Sequence, residues 1–232
     1  MSIKDYRLIV FDWDGTLMDS VAQIVDAMHA SMRDLGVELL STDQVKNIIG
    51  LGLREAIDAL YPGQDDAFLQ RFVECYRHHW FGLSSQSQLF PGAEQTLQLI
   101  QEQGLLLAVA TGKGRQGLDK VLADTELGDY FQATRCADET TSKPHPHMLN
   151  EIMSELKVKP EQTIMIGDTE YDMEMARNAG VEPIAATYGV HEWERLFQFN
   201  PMFRLDELAE LGDWVAEYAV AKGSNQTFSM AG

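Results

Sequence analysis

The chain predicts an α/β protein, with a doubly wound parallel sheet and an all-helical segment inserted after the first strand. Three observations carry this expectation. Short apolar runs rich in β-branched residues recur along the chain, and each stops at a turn signal. Amphipathic helical patterns separate these runs. The interval between the first two runs is much longer than a crossover requires and contains only helical patterns.

Leu8-Ile9-Val10-Phe11 is too short for a helix and precedes Asp14-Gly15, so it reads as a strand buried on both faces. Residues 105–110 repeat the pattern and end at Thr111-Gly112. Residues 163–166 repeat it again and end at Gly167-Asp168. Residues 183–186 make a plausible fourth strand and residues 131–136 a weaker one. Residues 94–103 carry Leu97 and Ile100 at helical spacing, with Gly104 as the stop. Met148, Ile152 and Leu156 share a face after Lys143-Pro144, and Met173, Ala176 and Ala179 share one before Gly180. Within the long interval, helices are expected over 21–35, 43–60 and 66–80. The third carries a stripe of Phe68, Phe72, Cys75, Tyr76 and His79. Residues 84–88 read as a return linker. The expectation is a Rossmann-like core formed by residues 1–18 and 89–232, a helical cap over 19–88, and a polar, frayed tail at 223–232.

Composition narrows the function. With 36 acidic and 18 basic residues the formal net charge is -18, a field that repels nucleic acid and anionic membrane surfaces. A phosphate site on such a protein must be built locally. The two cysteines, Cys75 and Cys136, form no CxxC pair, which argues against a disulfide scaffold or a thiolate zinc site. No apolar run is long enough to span a membrane and no secretory pattern is evident, so the expected location is cytoplasmic.

In open parallel sheets the reactive surface lies beyond the carboxyl ends of the strands. Here those ends are Asp12-Trp13-Asp14-Gly15-Thr16, Thr111-Gly112-Lys113-Gly114 and Gly167-Asp168-Thr169-Glu170-Tyr171-Asp172, with Ser142-Lys143-Pro144 opening a helix after the weak strand. Singly, each has an ordinary structural explanation as a turn, an N-cap or a solvated lysine. Their joint placement at successive strand ends does not.

In order and spacing these four segments resemble the four motifs of the haloacid dehalogenase-like hydrolases, with a match running from Leu8 to about Gly189. The helical insertion resembles that family's cap of the first type, and Phe90-Pro91-Gly92 its return hinge. The resemblance implies phosphoryl transfer, for which a carboxylate is a workable nucleophile because it is already ionised at neutral pH. Asp12 takes that role. Asp14 serves as general acid and then as base, Gly15 permits the turn, and Thr16 hydrogen-bonds within it. By resemblance, Asp12, the Asp14 backbone carbonyl and Asp168 hold Mg2+. Asp172 orients metal-bound water or the lysine. Lys143 supplies a positive charge to the phosphate, while Thr111 and Gly112 donate hydrogen bonds to it. Thr-Gly stands where such phosphatases often carry Thr-Asn.

Asp14 also separates the subclasses, because dehalogenases and phosphonatases of this kind lack a second aspartate. Trp13 resembles the phosphonatase motif, but Asp14 contradicts that reading and Lys46 is the only lysine of the insertion. The expectation is a Mg2+-dependent phosphatase acting on a small phosphorylated metabolite of phosphoglycolate or sugar phosphate type. The alternatives are a phosphomutase of β-phosphoglucomutase type and a catalytically silent binding protein. Neither a nucleic-acid nor a membrane partner is expected, and the expected state is a monomer or weak homodimer. His145 and His147 are expected at the surface or behind the site, and His79 in the apolar stripe. Gly50-Leu51-Gly52-Leu53-Arg54 interrupts the insertion; as a cap loop it would offer Arg54 to an anionic substrate tail.

Overall fold

A computed structural model describes residues 5–82 and 87–218. Its strands are β1 (Leu8–Phe11), β2 (Met18–Asp19), β3 (Gln88–Leu89), β4 (Leu106–Thr111), β5 (Ala133–Cys136), β6 (Thr163–Gly167), β7 (Glu182–Ala186) and β8 (Arg204–Leu205). The helices are α1 (Val21–Leu35), α2 (Thr42–Lys46), α3 (Leu53–Leu60), α4 (Asp66–Gly82), α5 (Ala93–Glu102), α6 (Arg115–Thr125), α7 (His147–Leu156), α8 (Glu170–Asn178) and α9 (Trp193–Phe197). Residues 209–218 form one more helical stretch.

Six strands make a parallel sheet in the order β5-β4-β1-β6-β7-β8. The chain builds outward from β1 through β4 to β5, then returns to the other side of β1 with β6. The order therefore reverses at β1, the switch point where open α/β sheets bind ligands. Register places Phe11 beside Val109 on one side and Ile166 on the other, so the ends of β1, β4 and β6 lie together.

Alternation along the strands separates two apolar layers. Ile9, Phe11, Leu107, Val109, Ile164 and Ile166 face the side covered by α5, α6 and residues 209–218. Leu8, Val10, Ala108, Ala110 and Met165 face α7 and α8. Burial on both faces is why these strands read as unbroken apolar runs.

Helices α1 to α4 have a separate core, in which Met28, Met32, Val45, Ile57, Phe68 and Phe72 pack together. Two chain passages join this bundle to the sheet, and they pair as an antiparallel ribbon, Met18 with Leu89 and Asp19 with Gln88.

Several elements depart from expectation. The helix expected over 43–60 is two, α2 and α3, parted by a loop in which Gly50 has φ of +103°. A Cβ there would be strained and would also stand 2.8 Å from the Thr169 hydroxyl. Ser41 and Gln44 close a reciprocal cap on α2, which fixes where it starts. His79, expected in the apolar stripe, lies at its margin with Nε2 2.7 Å from an Asp34 carboxylate oxygen. Strand β8 and the β2–β3 ribbon were not anticipated; at two residues each they carry no periodicity. The expected linker at 84–88 and the tail at 223–232 fall wholly or mostly outside the described residues.

Candidate active site

Asp12 follows β1 directly and its N–H donates to the Ile166 carbonyl, extending the sheet pairing by one residue. The chain then turns sharply. Gly15 has φ of +82° and donates to the Met18 carbonyl, while the N–H groups of Leu17 and Met18 donate back to the Trp13 carbonyl. Trp13 is fully buried against Phe131, which anchors the loop from below. Gly15 is needed for space as well as conformation: a Cβ would lie 2.2 Å from an Asp168 oxygen, and one on Gly189 would lie 2.2 Å from the Asp168 Cβ. Asp168 is thus cradled between two glycines.

Asp12, Asp168 and Asp172 are all buried, with one carboxylate oxygen from each within 4.8 Å of the others. Two of the three have their oxygens engaged. Asp168 accepts from the Thr16 hydroxyl at 2.8 Å and from the Val190 N–H at 2.8 Å. Asp172 accepts the Thr169 N–H and hydroxyl on one oxygen, and Lys143 Nζ at 2.6 Å on the other. Asp12 is different. Lys143 Nζ stands 2.8 Å from its Oδ1 as an ion pair, but neither oxygen accepts a well-directed hydrogen bond among the described residues.

The electrostatics follow from this crowding. Burial, reinforced by the neighbouring Asp172 and Asp14 carboxylates, pushes Asp12 up to about 7 despite the opposing pull of Lys143. Asp168 is raised well above the carboxylate range, first by burial and then by Asp12 and Asp172. Burial alone would lower the Lys143 pKa, but the two flanking carboxylates overcome it and hold the ammonium charged. Three buried acids with one lysine beside two of them would, when all are ionised, leave an excess of negative charge in low dielectric, a costly arrangement without another cation. Orphaned hard oxygen donors in a glycine-lined cradle fit a small divalent cation.

Asp14 points elsewhere. Its Oδ1 accepts from the Ser20 hydroxyl at 2.5 Å and from Lys113 Nζ at 2.9 Å, while Oδ2 accepts no hydrogen bond among the described residues. Lys113 also lies over the Trp80 ring, 4.7 Å from its centroid. Thr111 is buried at the end of β4 and its hydroxyl accepts from the Lys113 N–H. A Cβ on Gly112 would come within 2.4 Å of the Leu51 carbonyl and 2.6 Å of the Gly50 carbonyl, so this glycine allows the α2–α3 loop to rest on the sheet rim.

That loop is tied down elsewhere too. The Gly52 N–H donates to the Ser142 hydroxyl at 2.7 Å, and Asn47 receives the Tyr171 hydroxyl on its backbone carbonyl and Arg195 on its side chain. A cavity of about 260 Å3 remains between α1, α4, this loop and the segment after β4, with Asp12 and Asp14 in its wall. Arg54 lines it, but its guanidinium is paired with Asp66. His145 and His147 are exposed and meet edge to face.

Sequence reasoning missed Ser20, Lys113, Ser142 as a partner of Gly52, and the Val190 N–H. Lys113 alone had a signal, being a lysine two residues beyond the Thr111 strand end. Thr16 reaches across to Asp168 instead of bonding within its own turn.

Asp12, Lys143 and Asp168 at the switch point of a parallel sheet, beneath a helical bundle, define a class of hydrolase fold, and comparison with known proteins agrees. Residues 9–186 match the model of the haloacid dehalogenase-like hydrolase family, and the chain belongs to that family. It is 32% identical over 210 residues to a Dickeya dadantii protein named "Probable phosphatase IndB", covering 88% of this chain and 91% of that one. It is 30% identical over 228 residues to the phosphoglycolate phosphatase of Vibrio parahaemolyticus, covering 93% and 99%. A hydrolase from Pseudomonas syringae of known structure superposes with a TM-score of 0.84 over 91% of this chain and 98% of its own, at 21% identity, a likeness of fold. The chain is a phosphoric monoester hydrolase of this family.

Proposed function

We propose that the protein is a Mg2+-dependent phosphatase that hydrolyses a small phosphomonoester through an aspartyl phosphate on Asp12. The observation that carries this reading is the state of Asp12: fully buried, next to Lys143, with both oxygens lacking a directed hydrogen bond. A structural carboxylate at such a place would be satisfied, as Asp172 is. On this reading residues 1–18 and 89–232 form the catalytic core and residues 19–88 the cap, with phosphoglycolate and sugar phosphates as the starting candidates.

Asp12 attacks phosphorus, and the bond from phosphorus to the ester oxygen breaks. Asp14 gives the leaving alcohol its proton from Oδ2, while Ser20 and Lys113 fix the other oxygen. Asp14 then takes a proton from water, which attacks the same phosphorus and frees Asp12 and inorganic phosphate. Lys143 balances charge on the transferring group, and the Thr111 hydroxyl and Gly112 N–H hold its oxygens. Asp12, the Asp14 carbonyl and Asp168 would hold Mg2+, which supplies charge neutralisation and polarises the phosphoryl oxygen. Asp172 positions Lys143 through their 2.6 Å contact, and Thr16 positions Asp168.

The test is phosphate release from a panel of phosphomonoesters with Mg2+. Wild type is expected to release free phosphate rather than an isomerised sugar phosphate. Asp12→Asn is expected to abolish release while keeping a native circular dichroism spectrum. Wild-type turnover by that variant refutes the nucleophile.

A further inference from the structure

The cavity wall differs from what a small, acidic or polyhydroxylated leaving group would need. Ile24 and Met28 on α1, Ile49 on the α2–α3 loop, and Val73, Tyr76 and Trp80 on α4 line it, and its surface is mostly apolar. Covering a carboxylate or several hydroxyls with such a wall leaves them without partners, at a cost for each. Burying an apolar ring there is favourable.

Charge points the same way. Three cations line the cavity among the described residues, and each already faces an acid: Lys113 with Asp14 at 2.9 Å, Arg77 with Asp138 at 3.4 Å, and Arg54 with Asp66. Glu55 adds negative charge to the wall beyond those pairs. A second anionic group on the substrate would meet no uncompensated cation.

One donor of the wall remains unused: the Tyr76 hydroxyl makes no hydrogen bond among the described residues. An occupant of this space is asked for an acceptor. The volume, about 260 Å3, corresponds to about nine waters of liquid, roomy for a two-carbon acid and sufficient for one ring.

From these observations we infer that the preferred substrate is a phosphomonoester whose alcohol carries an uncharged, flat ring bearing a hydrogen-bond acceptor, held against α4 with the Tyr76 hydroxyl donating to it. This rests on the phosphatase reading and replaces its starting candidates: the same bond from phosphorus to oxygen breaks, and a ring-bearing alcohol leaves with the Asp14 proton. Tyr76 is then a specificity-determining residue.

The experiment compares kcat/KM for four alkyl phosphates whose alcohols leave with similar ease: phosphoglycolate, glycerol phosphate, benzyl phosphate and pyridylmethyl phosphate, with Mg2+ present. The two ring esters are expected to exceed the two acyclic ones by at least about tenfold, mostly through KM. Pyridylmethyl phosphate is expected to exceed benzyl phosphate by about three- to tenfold through its acceptor. Tyr76→Phe, which keeps the ring and removes the hydroxyl, should bring that last ratio close to one. Phosphoglycolate or glycerol phosphate turning over as well as the ring esters overturns the inference and leaves the phosphatase reading standing. A pyridylmethyl advantage that survives in Tyr76→Phe overturns the role of Tyr76. Absence of phosphate release from all four overturns the phosphatase reading and the inference with it.

Discussion

Asp12 and Asp172 share one lysine, yet their surroundings set them apart. Asp172 holds Lys143 with one oxygen and closes the start of α8 with the other, so its geometry is fixed before any substrate arrives. Asp12 keeps its oxygens without directed partners. Lys143, buried between them, is held charged. Lys143→Ala is therefore expected to lower kcat by at least about a hundredfold, the usual cost of losing a donor aimed at developing charge; steady-state kinetics at saturating Mg2+ checks it. The residues proposed to carry chemistry could be picked out of the sequence because each directly follows, or closely trails, an apolar run. Ser20 and Lys113 were not, because their relevance lies in what they meet. Lys113 reaches Asp14 across 99 positions of chain, and no spacing rule encodes that contact.

At the scale of elements, the cap loop and the β4 rim fit together through glycine. Gly112 leaves the Leu51 and Gly50 carbonyls the space that a Cβ would take, and the Gly52 N–H donates to the Ser142 hydroxyl. Gly112→Ala would place a methyl 2.4 Å from a backbone oxygen, a contact that only movement of the loop relieves. The variant is expected to fold normally and to lose about tenfold or more in kcat/KM because the site closes poorly; unaltered kinetics with an unaltered melting temperature would contradict the closed arrangement. Strands longer than three residues were visible in the sequence because burial on both faces writes an apolar run. The break between α2 and α3 was signalled by Gly50 and Gly52. Strand β8 and the ribbon joining cap to core were silent, since two paired residues need only backbone hydrogen bonds and place no demand on side-chain pattern. His79 was misplaced because a stripe defines a helix face but not its edge, and Asp34 lies at that edge.

For the whole molecule, the buried acidic cluster is a cost to stability, one that the proposed function explains. An unfolded Asp titrates near 3.9, whereas Asp12 in the fold without a cation titrates at about 7. Between those values the folded chain keeps a proton that the unfolded chain has lost. Stability from this group is thus full below about 4 and falls as pH rises through about 7. Asp12→Asn lacks that loss. It is expected to be the more stable protein above neutrality, by roughly 1–4 kcal/mol, with the difference disappearing in acid. His191, lowered to about 4 by burial and Arg195, has the opposite pH slope in both proteins and cancels in the comparison. Chemical denaturation of the two cation-free proteins across this pH range checks the sign. Added Mg2+ should raise the wild-type melting temperature at neutral pH more than that of the variant.

The central claim is that the phosphoryl group passes through Asp12. Acid-quenching the enzyme during turnover with Mg2+ and mapping its peptides by mass spectrometry tests this directly. A hydroxylamine-labile phosphoryl adduct on the peptide carrying Asp12, absent from Asp12→Asn, is the predicted result. Steady turnover with the adduct on another residue, or with none formed at any quench time, would contradict it.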